Sequence, residues 1–144
     1  MIAFILAGVS GIMMAVQGAM NGALGRIIGM LEGTFIVHVV GLAAVALLLF
    51  AFGLGKGDLS KLVDVPWYLY LGGIINVAII FGVMSSIDKI GAGNATTAII
   101  AGQLTMAMII DACGLFGLDK TGMTWGRGIG LGMMVVAAKL LLVK

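Results

Sequence analysis

Only a few side chains in this sequence could do chemistry, and they stand inside long apolar runs: Gln17, Asn21, His38, Asn76, Gln103 and Asp111. Most of them are carboxamides. A carboxamide both donates and accepts hydrogen bonds, so it reads a neutral polar group without the cost of a buried ion. Asp111 and His38 are the ionisable groups placed well within the apolar segments, and both are candidates for proton coupling, Asp111 the better one. Asp111 also reads as an interfacial carboxylate near a segment end, and His38 as a neutral, hydrogen-bonded core residue. No nucleophile stands with a base, so the pattern does not describe an enzyme. His38 is the single histidine and Cys113 the single cysteine. That excludes an internal disulfide framework and argues against a metal site, and no cofactor is expected.

The spacing sorts these groups onto faces. Gln17 and Asn21 are four residues apart and Ser10 is seven before Gln17, which puts all three on one helical stripe. Gly11, Gly18, Gly22 and Gly25 form a smooth stripe beside it, where another helix can approach closely. Thr96 and Gln103 share a face further on; Thr97 and Thr105, on a neighbouring face, suit back-bonding to the preceding turn. Gln103 reads equally as an interhelical hydrogen bond or a substrate contact. Asn76, one turn after Gly72, marks the inner face of its segment. Ser10, Gln17, Asn21, Asn76, Thr96 and Gln103 are therefore the candidate substrate-binding set.

The elements that must position them follow from composition. The chain has 144 residues, 62% hydrophobic and 10% charged, with a mean hydropathy of +1.24. Long apolar runs between short charged loops imply an all-α, polytopic membrane protein. Five segments of about twenty residues each are expected, at about 2–24, 30–52, 66–87, 94–116 and 125–143, forming one domain over 1–144. The first has no basic n-region and reads as a retained helix rather than a cleaved signal. Pro66 opens the third, followed by the interfacial aromatics Trp67, Tyr68 and Tyr70. Asp88, Lys89 and Gly91 are expected to form a tight turn, with Asn94 capping the fourth segment. Gly126, Gly128, Gly130 and Gly132 crowd the fifth; Gly128 and Gly132, like Gly11, Gly18 and Gly22, read as helix-packing positions. No strand–turn–helix unit surrounds them, so they make no nucleotide fingerprint. No basic block points to nucleic acid.

An odd number of spans puts the termini on opposite sides. Lys56, Lys61, Lys120 and Arg127 then fall on the N-terminal side, and Arg26, Lys89, Lys139 and Lys144 on the other, four each. The positive-inside rule gives no orientation. The balance leaves two readings open: chance in a chain with few cations, or dual topology with copies inserted both ways.

Several of these residues occur together in a familiar order: Gln17-Gly-Ala-Met-Asn21, Leu24-Gly25, His38-Val-Val-Gly41, Gly72-Gly73, Gly91, Gly102-Gln103, Asp111 and Gly114. Over essentially its whole length the chain resembles the short, YdcZ-type branch of the drug/metabolite transporter superfamily. The resemblance implies a five-helix half-transporter; in larger relatives two such halves are fused as inverted repeats. It also implies that Gln17, Asn21, Gln103 and Asp111 belong to the family's polar pattern. His38 departs from that pattern, which has a small polar residue such as serine there. The small multidrug relatives use a first-helix carboxylate, and this first helix has none.

The expectation is a multi-pass transporter half in the bacterial inner membrane, working as an antiparallel homodimer or with a homologous chain. It would move a small polar or amphipathic metabolite by alternating access. A passive channel built on the same polar stripes and an accessory subunit without transport of its own are the rival readings.

Overall fold

The computed structural model describes residues 1–142. The expected segment end at Val143, and Lys144 in the charge tally, lie outside the described residues. The described residues are helical apart from short connections, and they separate into two compact units, Met1–Lys89 and a second beginning at Ile90.

In the first unit, helix α1 (Ile2–Ile28) runs four residues beyond the expected end, with Arg26 in its last turn where a cation suits the helix dipole. Gly29 ends it at φ 102°, a conformation that a side chain would strain, and its N–H still reaches the Gly25 carbonyl at 2.9 Å. Helix α2 (Met30–Ala46) follows at once, with Glu32 in its first turn. It widens into a π-helical stretch, Leu47–Ala51, where the Phe52 N–H bonds the Leu47 carbonyl at 3.1 Å. Beyond it, Asp58 caps a 3₁₀ turn, Leu59–Asp64. The Tyr70 hydroxyl donates to the Leu62 carbonyl and ties this loop to the aromatic belt. Pro66 precedes a short 3₁₀ stretch, Trp67–Tyr70, rather than the α-helix itself, which starts at Leu71.

The expected turn at 88–91 is a correction. Helix runs from Leu71 to Cys113 and only Gly91 leaves helical geometry, at φ 79°, ψ 162°. One glycine absorbs the whole break, so no loop is needed. The two arms are α3 (71–90) and α4 (92–113). Asn94 therefore stands inside α4 rather than at its cap. In the second unit Gly114, left-handed at φ 64°, follows α4. Helix α5 (Trp125–Leu141) starts at a cap in which the Thr124 hydroxyl accepts the Arg127 N–H at 3.3 Å.

Among the described residues, three helical runs are long and apolar enough to cross a membrane: Ile2–Ile28, Met30–Ala51 and Trp67–Cys113. The last holds two arms, each of spanning length by itself. At 1.5 Å per residue α5 is about 25 Å long, close to the hydrocarbon thickness.

The core of the first unit is a seam between three helices. α1 buries Gly18, Asn21, Gly22 and Gly25. α2 buries Gly33 and Thr34, and α3 buries Ile80, Met84 and Ile87. The α1 and α3 sets recur at three or four residues, one helical stripe each, and α2 adds the adjacent pair Gly33 and Thr34. Met84, fully buried, lies at the centre. A Cβ on Gly25 or Gly33 would stand 2.7 or 2.6 Å from its methyl carbon, and one on Gly22 only 3.0 Å from Ile87 Cγ2. The missing side chains let the helices close on these larger ones.

Candidate functional site

The seam holds two buried polar groups of the first unit, Asn21 and Thr34, and a further polar line leads away from it. Thr34, 1% exposed, lies 2.8 Å by its hydroxyl from the Met30 carbonyl and 3.5 Å from Met84 Sδ. One hydroxyl has one proton, and the nearer, stronger acceptor takes it; the sulfur is left in polar contact. One turn further, His38 Nδ1 is 2.8 Å from the Thr34 carbonyl. Its Nε2 is 3.1 Å from Asn76 Nδ2 on α3. Met30, Thr34, His38 and Asn76 thus form a hydrogen-bonded line that crosses from α2 to α3.

The first-helix stripe divides. Asn21 is buried, and its Nδ2 has no hydrogen-bond partner. Leaving such a donor unpaired costs about 1–3 kcal/mol. Gln17, one turn earlier, is exposed, as is Ser10, whose hydroxyl turns back to the Leu6 carbonyl at 2.8 Å. Of the expected packing glycines, Gly18 and Gly22 face α3 side chains; at Gly11, Gly128 and Gly132 an added Cβ would meet nothing within 4 Å.

In the second unit Thr97 and Thr105 bond back to the Gly93 and Ala101 carbonyls at 2.9 and 2.7 Å. Thr96 is half-buried and Gln103 exposed. Asp111 pairs with Arg127 of α5 at 3.7 Å, both side chains half-exposed. The separation is that of an ion pair rather than a hydrogen bond. A groove of about 360 Å³ adjoins them, lined also by Leu104, Met108 and Gly130. Among the described residues no three potential ligands gather to hold a metal.

Sequence reasoning missed Thr34, Met84 and Arg127. Thr34 could have been found, because it stands one turn before His38 on the same stripe. Met84 could not, since eleven methionines look alike in sequence. Arg127 reads in sequence as a cation at the start of the fifth segment; pairing it with Asp111 needs the turn geometry after Gly114, which also brings the Thr121 N–H to the Asp111 carbonyl at 2.9 Å.

A family described as "Putative inner membrane exporter, YdcZ" matches residues 2–140, nearly the whole chain. The chain belongs to this family. No curated protein and no solved structure gives a significant match. YdcZ membership together with the apolar helices makes this a multi-pass inner-membrane protein, and the family's description is that of an exporter, a transporter class.

Proposed function

We propose that the chain is one half of an alternating-access exporter that pairs antiparallel with a second copy. Its cargo is a small polar or amphipathic metabolite. The observation that carries this reading is the divided stripe on α1. Asn21 is drawn into the seam, while Gln17 stays exposed on an otherwise apolar helix. A carboxamide facing acyl chains is costly, so Gln17 belongs against a water-filled cavity or a second chain. The paucity of core supports the same view: the buried apolar side chains among the described residues are Ile80, Met84, Ile87, Ala95 and Met108. A second copy would cover more of the exposed helix faces, and the level Lys/Arg tally allows the two to insert in opposite senses. Two halves in that arrangement form an inverted repeat with a cavity near the bilayer midplane. Asn21, Asn76, Thr96 and Gln103 would supply further polar contacts, and Ser10 the stripe's outer end.

Two measurements test this. Cysteine labelling at Gly57 and Gly122 in a Cys113→Ala background should report each loop from both sides of the membrane; labelling from one side alone rejects dual topology. In proteoliposomes screened with small neutral metabolites, saturable counterflow is expected. Gln17→Leu should weaken it by one to two orders of magnitude, the worth of a lost buried hydrogen bond of roughly 1–3 kcal/mol. Normal flux from a Gln17→Leu dimer of reduced stability would reassign Gln17 to helix packing.

A further inference from the structure

We propose that His38 and Asn76 form a proton-binding site that inverts what it offers a solute. With His38 neutral it presents an acceptor and takes neutral solutes carrying an O–H or N–H group; with His38 protonated it presents a donor instead. The proposal rests on the transport reading for its purpose but not for its chemistry.

The Thr34 carbonyl can only accept, so at 2.8 Å His38 Nδ1 must carry a proton. In the neutral ring Nε2 then holds a lone pair, and the Asn76 amide N–H donates to it at 3.1 Å. This fixes the direction of the amide: Nδ2 points to the ring and Oδ1 away from it. Asn76 is exposed, so that oxygen is free to accept from a solute. When a proton from water adds to Nε2, two donors face each other. The amide relieves this by a half-turn about its last side-chain bond, a torsion with two broad minima. Oδ1 now accepts from Nε2–H, and the NH₂ group points outward. The ring itself need not move, because Thr34 receives the Nδ1 proton in both states.

No charged side chain stands within one helical turn of His38 or Asn76 along the sequence; in the connection before α3 the nearest is Asp64, twelve residues before Asn76. On α1, residues Ile2 to Leu24 include no ionisable side chain. On α2 the nearest is Glu32, six residues before His38, about 9 Å along the axis. On α3 the nearest are Asp88 and Lys89, twelve and thirteen residues beyond Asn76, about 18 Å or more away. The Arg26 side chain is already paired with Asp88 at 3.8 Å. Proton and donor-bearing solute therefore compete at Asn76, which is the condition for exchanging one for the other across a membrane.

The test uses the full chain in lipid nanodiscs with isotope-labelled histidine and asparagine. In neutral His38 the proton should sit on Nδ1, with a hydrogen-bond correlation from Nε2 to the Asn76 amide nitrogen. Acidification to the doubly protonated ring should abolish that correlation and shift the Asn76 carbonyl carbon. N,N-dimethylacetamide, which only accepts, should perturb the Asn76 NH₂ signals more strongly in the protonated state, where both N–H groups are free, than in the neutral one, where one is held by Nε2. Asn76→Leu should remove this response while the Met84 methyl signal stays in place. A neutral ring protonated at Nε2, Asn76 signals indifferent to His38, or an unchanged acetamide response in both states would each overturn the proposal. None of these readouts needs transport. A chain that moves solutes without the switch overturns this inference alone, and a chain with the switch but no flux upholds it and overturns the transport reading.

Discussion

In α1, Gly18, Gly22 and Gly25 stand against Val83, Ile87, Met84 and Met30; in α5, Gly128, Gly130 and Gly132 stand against nothing within 4 Å. The two helices carry the same signal in sequence, closely spaced glycine in an apolar run. In the first unit the signal is answered within the chain. In the second no described side chain answers it within 4 Å. A glycine stripe therefore states that something can come close, and the large side chains opposite decide what does. On α3 those are Met84 and Ile87, one turn apart on a stripe that α1 can meet.

Breaking this contrast should give the largest effect. Gly22→Leu drives a whole side chain into Ile87, whose β-branch leaves it little room to swing. Overpacking by even a few methylenes costs about 1–3 kcal/mol, and here the helices must part. We expect little monodisperse protein in detergent by size-exclusion chromatography. Gly128→Leu should leave the fold intact, and should split the dimer if α5 seals it. Equal damage to the fold from both substitutions would erase the distinction between the units.

The second effect sharpens the same comparison through two methionines. Met84→Ala withdraws the group that fills the space beside Thr34, Gly25 and Gly33, and a cavity of this kind costs about 2–5 kcal/mol. Met108, also buried, borders the open groove beside Asp111. Its loss leaves less of an enclosed void, so Met108→Ala should lower the thermal midpoint less. A larger loss from Met108→Ala would show that the second unit has the tighter core.

How far the sequence led follows the same division. The helical class and its membrane-spanning character were legible because apolar run length is a local property, as is the four-residue spacing that defines the Gln17–Asn21 stripe. The fate of that stripe was not: which of two neighbouring carboxamides is buried depends on where α3 packs. The break at Gly91 was misjudged because charged residues beside a glycine look like a loop, whereas one positive φ suffices to interrupt helix. The link from His38 to Asn76 joins residues 38 apart in sequence, and no periodicity within either helix could announce it.

Each unit has one ion pair among the described residues, Arg26–Asp88 at 3.8 Å and Arg127–Asp111 at 3.7 Å. All four side chains are about half-exposed, so each pair should contribute only about 0–1 kcal/mol, and less as salt rises. Double-mutant cycles with Arg26→Gln and Asp88→Asn, and with Arg127→Gln and Asp111→Asn, should give similar small couplings. A coupling at Asp111 several times that at Asp88, persisting in high salt, would mark the groove beside it as a desolvated site and set the units apart again.

The smallest effect compares two caps. Asp58 caps the Leu59–Asp64 turn, accepting from the Ser60 hydroxyl at 2.7 Å and the Ser60 N–H at 3.0 Å. Those bonds, the hydroxyl first, hold its carboxyl below the ordinary aspartate range. Thr124 caps α5 with a hydroxyl that does not titrate. The sign for Asp58 follows from its lowered value. The unfolded chain binds the proton more readily, so the stabilisation is fully present above the unfolded aspartate value near ~3.9. It is lost as pH falls through the lower folded value. Asp58→Asn keeps an accepting oxygen and removes only the charge. The Ser60 amide should therefore lose hydrogen-exchange protection in Asp58→Asn at neutral pH, and the gap to wild type should close in acid. Thr124→Val should lower protection of the Arg127 amide by the same factor at every pH. No gap at Ser60 at any pH would mean that Asp58 caps by shape alone, as Thr124 does, and that its charge contributes nothing to the turn.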